Sequence, residues 1–176
     1  MDLQNITLIS FGYFDSGFLG KLADAVVNEL DLPVDIREAH IDLIEFYDPG
    51  RRQYNGNKLL TTIDSLYAGE SFKTMGLFNV DIFIPILTYI FGQAYLNGRT
   101  AVASIYRLDN ELYGMNKDEG LLLERLKKEV IHELGHTLGL IHCHIPTCVM
   151  RSVSYVEDID QKDQSFCPDC RKRIIR

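Results

Sequence analysis

Hydrophobic positions along the 176-residue chain recur with a period of about 2 in some segments and about 3.6 in others, and the switches delimit the elements. Residues 5–11 (NITLISF) are β-branched and apolar, which predicts a strand ending at Gly12. From Ser16 or Gly17 onward, Leu19, Leu22, Ala23, Val26, Val27 and Leu30 recur at helical spacing, and residues 31–33 terminate that helix. Residues 33–41 alternate as a second strand, the charged, glycine-containing stretch 48–58 reads as a loop, and residues 59–67 begin a second helix. Three more strands are expected at 80–86, 89–94 and 100–108. The last alternates and leads through a short loop into the longest helix, so it is expected to be an exposed sheet edge beside that helix. The order βαβαβββ and then helix specifies an α/β (α+β) layer built on a mixed, twisted sheet.

The longest helix carries clear local signals. Asn116 stands at the expected N-cap with Glu119 in capping-box register, and the periodicity runs to about Leu138. At ~100° per residue, Leu123, Leu126, Val130, Leu134 and Leu138 fall within roughly 120° of one another and form the core-facing stripe. His132 and His136, one helical turn apart, project from the opposite side toward the same place.

Those histidines open HELGHTLGLIHC (132–143), in which H-E-x-x-H is followed by x-x-G-x-x-H. An i, i+4 pair sets two imidazoles about 6 Å apart, which one zinc ion spans with bonds of roughly 2.0–2.1 Å. Glu133 adjoins the first ligand, where its carboxylate can meet a water at the metal. Gly139 suits the left-handed backbone that ends the helix, and the chain then turns back to return His142 as a third ligand. Three protein ligands leave a tetrahedral fourth position open, which distinguishes a catalytic from a structural zinc. His144 could compete for the third place, but His142 has the matching spacing; His40 has no evident partner. A bare HExxH is often only a solvated helix face, whereas three of five histidines, a glutamate and a glycine on one template favour a metal.

All four cysteines, Cys143, Cys148, Cys167 and Cys170, lie in the last third of the chain, spaced C-x4-C and C-x2-C. The amino terminus lacks the basic region and long apolar run of a secretory signal, so a cytoplasmic location is expected. In that reducing compartment such spacings favour zinc over two disulfides. Four thiolates at ~2.3 Å close a tetrahedron with no room for water, so this second zinc reads as structural. The longest apolar stretch, residues 82–92, falls far short of the ~20 residues of a membrane helix. Lys and Arg number 18 against 25 Asp and Glu, a net charge of −7, which argues against a nucleic-acid groove as the main function. A zinc ribbon aided by Arg171, Lys172, Arg173 and Arg176 competes only weakly, since basic tails of this kind are ordinarily solvated.

HELGHTLGLIH resembles the long zinc-binding consensus of the metzincin metallopeptidases. The joint string of HELGHTLGLIHC, four residues, CVM, sixteen residues and CPDC extends the resemblance to the archaemetzincins, and VDIFIP, FGQAYLNG and VASIYRL carry it more loosely. The resemblance implies a metzincin-like zincin, with a mixed sheet packed against a backing helix and an active-site helix. It implies one catalytic domain over 1–176, with an N-terminal subdomain (1–139) and a short zinc-bound C-terminal subdomain (140–176). It implies a zinc metallopeptidase with a catalytic zinc on His132, His136 and His142, Glu133 as general base, and a structural zinc on Cys143, Cys148, Cys167 and Cys170. Met150 would be the methionine of the Met-turn beneath the site. A sheet edge strand, to which 100–108 would correspond, would bound the cleft and bind a peptide or protein substrate extended. The expected chain is a monomer without nucleic-acid or membrane partners. No pro-segment is expected before the first strand, and no thiol is left over to block the catalytic zinc. Tyr155 has two open readings, as oxyanion stabiliser or further ligand and as a packing or surface tyrosine. The alternative function is a zinc-containing peptide-binding or scaffolding module with little hydrolysis, against which Glu133 speaks, because a pure binder needs no carboxylate there.

Overall fold

The computed structural model describes residues 4–174. Along the chain run β1 (Ile6–Phe11), α1 (Ser16–Leu30), β2 (Val34–Ala39), β3 (Tyr47–Asp48), β4 (Gln53–Asn55), α2 (Gly56–Tyr67) and β5 (Lys73–Phe78). There follow β6 (Ile82–Phe83), β7 (Gly92–Ala94), β8 (Thr100–Ser104), α3 (Glu119–Thr137), α4 (Val156–Gln161) and α5 (Pro168–Arg173). The frame is a five-stranded sheet of order β2-β1-β5-β8-β7, in which neighbours are parallel except that β7 runs antiparallel to β8. A smaller sheet has the order β3-β4-β6. The mixed α/β architecture expected from the element order is present.

The three central strands, β1, β5 and β8, are buried on both faces, and strand alternation sorts their side chains between the two. Leu8, Met75, Leu77, Ala101 and Ala103 join a core with α1 and α3, while Ile9, Phe11, Phe78 and Val102 pack with Leu59, Leu60 and Ile63 of α2. Strands enclosed in this way lose polar–apolar alternation. That explains the largest omission of the sequence reading, which assigned no element to β5, the strand between β1 and β8. KTMGLF opens on a charge and contains a glycine, neither of which signals a central strand. Lys73 is nevertheless buried, because its ammonium donates to Gly98 O (2.7 Å) and to Thr137 O (2.8 Å) at the carbonyl end of α3.

Five further expectations are corrected. Residues 100–108 do not form a sheet edge: β8 lies between β5 and β7 with all its residues buried, and Tyr106–Leu108 is a 3-10 turn. Its alternation reflects two apolar faces, and the edge position falls to the short strand β7. Within 48–58 the chain makes a hairpin of β3 and β4, and Asn55 accepts the Lys58 N–H (3.1 Å), so α2 begins at Gly56 and not at 59. The strand expected at 80–86 shrinks to Ile82–Phe83, and that at 89–94 to Gly92–Ala94. The N-cap of α3 is Asp118, whose carboxylate accepts the Leu121 N–H (2.9 Å), while Asn116 lies outside the helix. The predicted leucine and valine stripe of α3 is buried throughout, but so are Glu129, His132 and Glu133, which leaves the histidine side of the helix without the solvated face that two spaced histidines ordinarily occupy.

Candidate active site

Gly139 has φ +92°, a left-handed conformation that a side chain resists, and Leu140 N–H closes back on Gly135 O (3.0 Å). The chain reverses there and brings His142 to the pair on α3. The three ring centroids lie 4.7 Å (His132–His136), 5.4 Å (His132–His142) and 5.0 Å (His136–His142) apart. His132 Nδ1 meets Val149 O at 2.8 Å and His136 Nδ1 meets Leu140 O at 2.7 Å. A carbonyl can only accept, so both Nδ1 atoms carry the proton and both Nε2 atoms present lone pairs. Those Nε2 atoms stand 3.1 Å apart. Two lone pairs tolerate that approach when a cation lies between them, and bonds of 2.0–2.1 Å in a tetrahedron imply a separation of ~3.3 Å. One ligand atom from each of the three histidines falls within 4.8 Å of the others, and His144 is not in the cluster. Burial, assisted by the Lys162 ammonium, depresses the basicity of His132 strongly and that of His136 and His142 less, favouring the neutral ring that binds metal.

Glu133, His132 and His142 line a cleft of about 350 Å³ between residues 87–92 and residues 152–155. Burial raises the Glu133 carboxyl well above the usual carboxylate range, and Glu129 adds to this while Lys162 opposes it. The first residue of β7 lies against Glu133. A Cβ on Gly92 would sit 2.8 Å from Glu133 Cγ and 2.8 Å from Val102 O, closer than atoms pack. Gly92→Ala is therefore expected to displace either Glu133 or the edge strand. Since a shift of about 1 Å at a reacting group costs on the order of 10²-fold, kcat/KM should fall by that order with metal content unchanged. Measurement of both quantities on the same preparation checks this, and wild-type activity would show that the contact relaxes harmlessly.

Met150 is fully buried beneath the turn of α3 that carries His132 and His136, and a Cβ on Gly135 would overlap its Sδ. The Cys143 N–H donates to Met150 O (2.9 Å), tying this turn to the residue after His142. Tyr155 lines the cleft but is 65% exposed. Tyr89 OH donates to Ser154 O (2.8 Å), which joins the two rims.

The four cysteines also converge, within 4.8 Å of one another. Cys143 and Cys167 Sγ atoms are 3.9 Å apart and those of Cys148 and Cys170 are 3.8 Å apart. A disulfide requires ~2.05 Å, whereas four Zn–S bonds of ~2.3 Å imply edges of ~3.8 Å. Backbone N–H groups of Ile145, Met150, Cys167 and Cys170 point at these sulfurs from 3.4–3.5 Å, an arrangement that stabilises thiolates. At Cys167 burial pushes the thiol up, but hydrogen bonds led by the Cys170 N–H outweigh it and lower the value; burial raises Cys148 and Cys170.

Two buried charged residues near His132 escaped the sequence reading. Lys162 lies within EDIDQKDQ, which reads as a solvated turn and gives no signal. Glu129 does carry one: it precedes Glu133 by one helical turn and so shares its face.

Known proteins match this arrangement. The model of Peptidase family M54 matches residues 29–176. The archaemetzincin of Thermococcus kodakarensis is 41% identical over 131 residues, covering 74% of this chain and 70% of its own. That of Pyrococcus horikoshii is 39% identical over 140 residues, covering 76% and 73%. The crystal structure of a zinc-dependent peptidase from Methanocorpusculum labreanum superposes with TM-score 0.88 at 28% identity, over 96% of this chain and 98% of that one. Archaemetzincin from Methanopyrus kandleri gives TM-score 0.84 at 34% identity, over 97% and 92%. With a family match across most of its length and relatives of this identity over two thirds of theirs, the chain belongs to the archaemetzincins, peptidase family M54.

Proposed function

We propose that the chain hydrolyses peptide bonds at a zinc held by His132, His136 and His142, with Glu133 as general base, and that Cys143, Cys148, Cys167 and Cys170 hold a second, structural zinc. The observation that carries this reading is the pair of Nδ1-to-carbonyl hydrogen bonds, which fix two Nε2 lone pairs on one point in a cleft that also contains Glu133. When bound, zinc supplies Lewis acidity toward water and the scissile carbonyl.

The chain's own residues do the rest. Glu133 accepts the proton of the attacking water and delivers it to the leaving amide nitrogen. Its burial withholds competing solvent, and Gly92 lets the strand backbone approach it. Residues 87–92, which lead into the edge strand β7, form the rim along which an extended peptide would lie, with residues 152–155 opposite. The substrate thus adds outside β7, where sequence reasoning had placed 100–108. Met150 supports the ligand turn from below, and Gly139 supplies the reversal that presents His142.

We read 1–176 as a single catalytic domain in which the cysteine-bearing tail completes the site. Val149, Met150, Phe166 and Cys170 pack into the same core as α1 and α3, which supports that reading. Four thiols and a net charge of −7 fit a monomer in a reducing cytoplasm that acts on peptides and not on nucleic acid; among the described residues no helix is long and apolar enough to cross a membrane.

The test is cleavage of a diverse peptide library by zinc-loaded protein with metal content measured in parallel. Cleavage products that vanish on chelation and return with zinc are expected. Two bound zincs with no cleavage of any peptide would favour a peptide-binding module.

A further inference from the structure

Lys162 is 1% exposed, although nothing in its surroundings in sequence calls for burial. Its ammonium donates to Val149 O (2.9 Å) and Arg151 O (3.2 Å), the carbonyls on either side of Met150. Val149 O is also the acceptor for His132 Nδ1–H (2.8 Å), and Lys162 Nζ stands 3.5 Å from that Nδ1. The counter-charge is Glu129, whose Oε1 lies 3.8 Å from Nζ and has no hydrogen-bond partner among the described residues.

Such an arrangement is costly to build. A buried ammonium loses its hydration, and an apolar residue of equal volume often replaces a buried ion pair without loss of stability. A lysine in this position therefore calls for a role that an apolar residue could not fill. The geometry supplies one. A carbonyl oxygen has two lone pairs; at Val149 one receives the His132 N–H and the other the Lys162 ammonium. With one donor alone the peptide plane could tilt and the imidazole with it. With both, and with Arg151 O held by the same ammonium, the turn around Met150 is drawn to a single point and His132 is aligned against it.

Resting on the metal reading above, we propose that Lys162 is a positioning residue for the histidine-bound metal: through the shared Val149 carbonyl it fixes the orientation of His132, and through the Val149 and Arg151 carbonyls it clamps the turn that carries Met150. Glu129 faces the buried ammonium from 3.8 Å and supplies its counter-charge.

The competing role is neutralisation of Glu129 alone, and three variants separate the two. Lys162→Met leaves a buried carboxylate unpaired and is expected to lower thermal stability. Glu129→Gln combined with Lys162→Met removes that orphan charge and recovers folding, but the Val149 and Arg151 carbonyls still lack their donor. Glu129→Gln alone retains the donor. Each protein, with its cysteine site filled, is titrated with zinc against a chelator and, separately, with cobalt(II) followed by its visible spectrum. The double variant is expected to bind metal at the histidines 10–100-fold more weakly than Glu129→Gln, the usual effect of losing a residue that orients a ligand, with altered cobalt bands. Lys162→Arg, which keeps charge and donors, is expected to recover part of the affinity. Equal affinities and superimposable cobalt spectra for the double variant and Glu129→Gln would overturn the proposal, leaving Lys162 as a counter-ion only. A wild-type protein that takes up no metal at the histidines would overturn both this proposal and the metal reading beneath it.

Discussion

Glu133→Gln is expected to lower peptide cleavage by zinc-loaded protein by about 10³-fold, within the 10²–10⁴ range of positioned general bases, with metal content unchanged. Glutamine preserves the volume that Gly92 accommodates and the packing within the cleft, so the metal ligands and β7 have no reason to move. What it lacks is an oxygen able to take a proton from water and pass it on. The loss should therefore appear in kcat, with KM little changed, because binding along residues 87–92 does not use this carboxylate. Steady-state kinetics on the best library peptide, with metal analysis of the same sample, decides the matter. A variant that cleaves within tenfold of wild type would assign the proton transfer to another group, with Tyr155 on the cleft wall the first to examine.

The site was far more legible in the sequence than the sheet that supports it. Ligand chemistry acts at short range along the chain: the turn of a helix fixes His132 against His136, and Gly139 fixes the return of His142, so a local string encodes the cluster. Sheet order is set by contacts remote in sequence. β5 went unrecognised because its flanks are β1 and β8, and enclosure on both faces removed the alternation by which strands are found. β8 reads as an edge from its alternation and its place before the longest helix, but that alternation runs between two buried faces, with Ala101 and Ala103 in one core and Val102 in the other. Lys162 lay hidden for a related reason: a lysine among aspartates reads as solvated, and only the fold reveals that it reaches the carbonyls beside Met150. Glu129 was within reach of helical periodicity, but carboxylates on a helix face are ordinary enough that spacing alone does not single one out.

Replacing Cys167 and Cys170 together with serine should release one zinc per chain and destabilise the tail, with consequences that extend to the catalytic site. Serine oxygens are poor substitutes for thiolates at a soft, closed tetrahedral site, so the remaining pair, Cys143 and Cys148, cannot retain the ion. Metal binding in small thiolate sites contributes folding free energy directly. A conservative loss of ~4 kcal/mol, at roughly 2–4 °C per kcal/mol for a chain of this size, lowers Tm by about 8–16 °C. The tail does have other anchors: Phe166 N–H and the Arg171 guanidinium both engage Glu29 of α1, so the segment should loosen without detaching. The effect on the histidines follows from connectivity. Cys143 is bonded to His142, Cys148 precedes the Val149 carbonyl that orients His132, and the Cys143 N–H holds Met150 O. Freed of their metal, these two cysteines no longer hold either segment, and the affinity of the histidine site for zinc should fall as well, seen as faster inactivation by a chelator than in wild type. Elemental analysis and a thermal melt test the first consequence and timed chelation the second. Two zincs retained in the double variant would refute the thiolate assignment; one zinc lost with chelation kinetics unchanged would show instead that the two sites sit side by side in sequence without mechanical coupling.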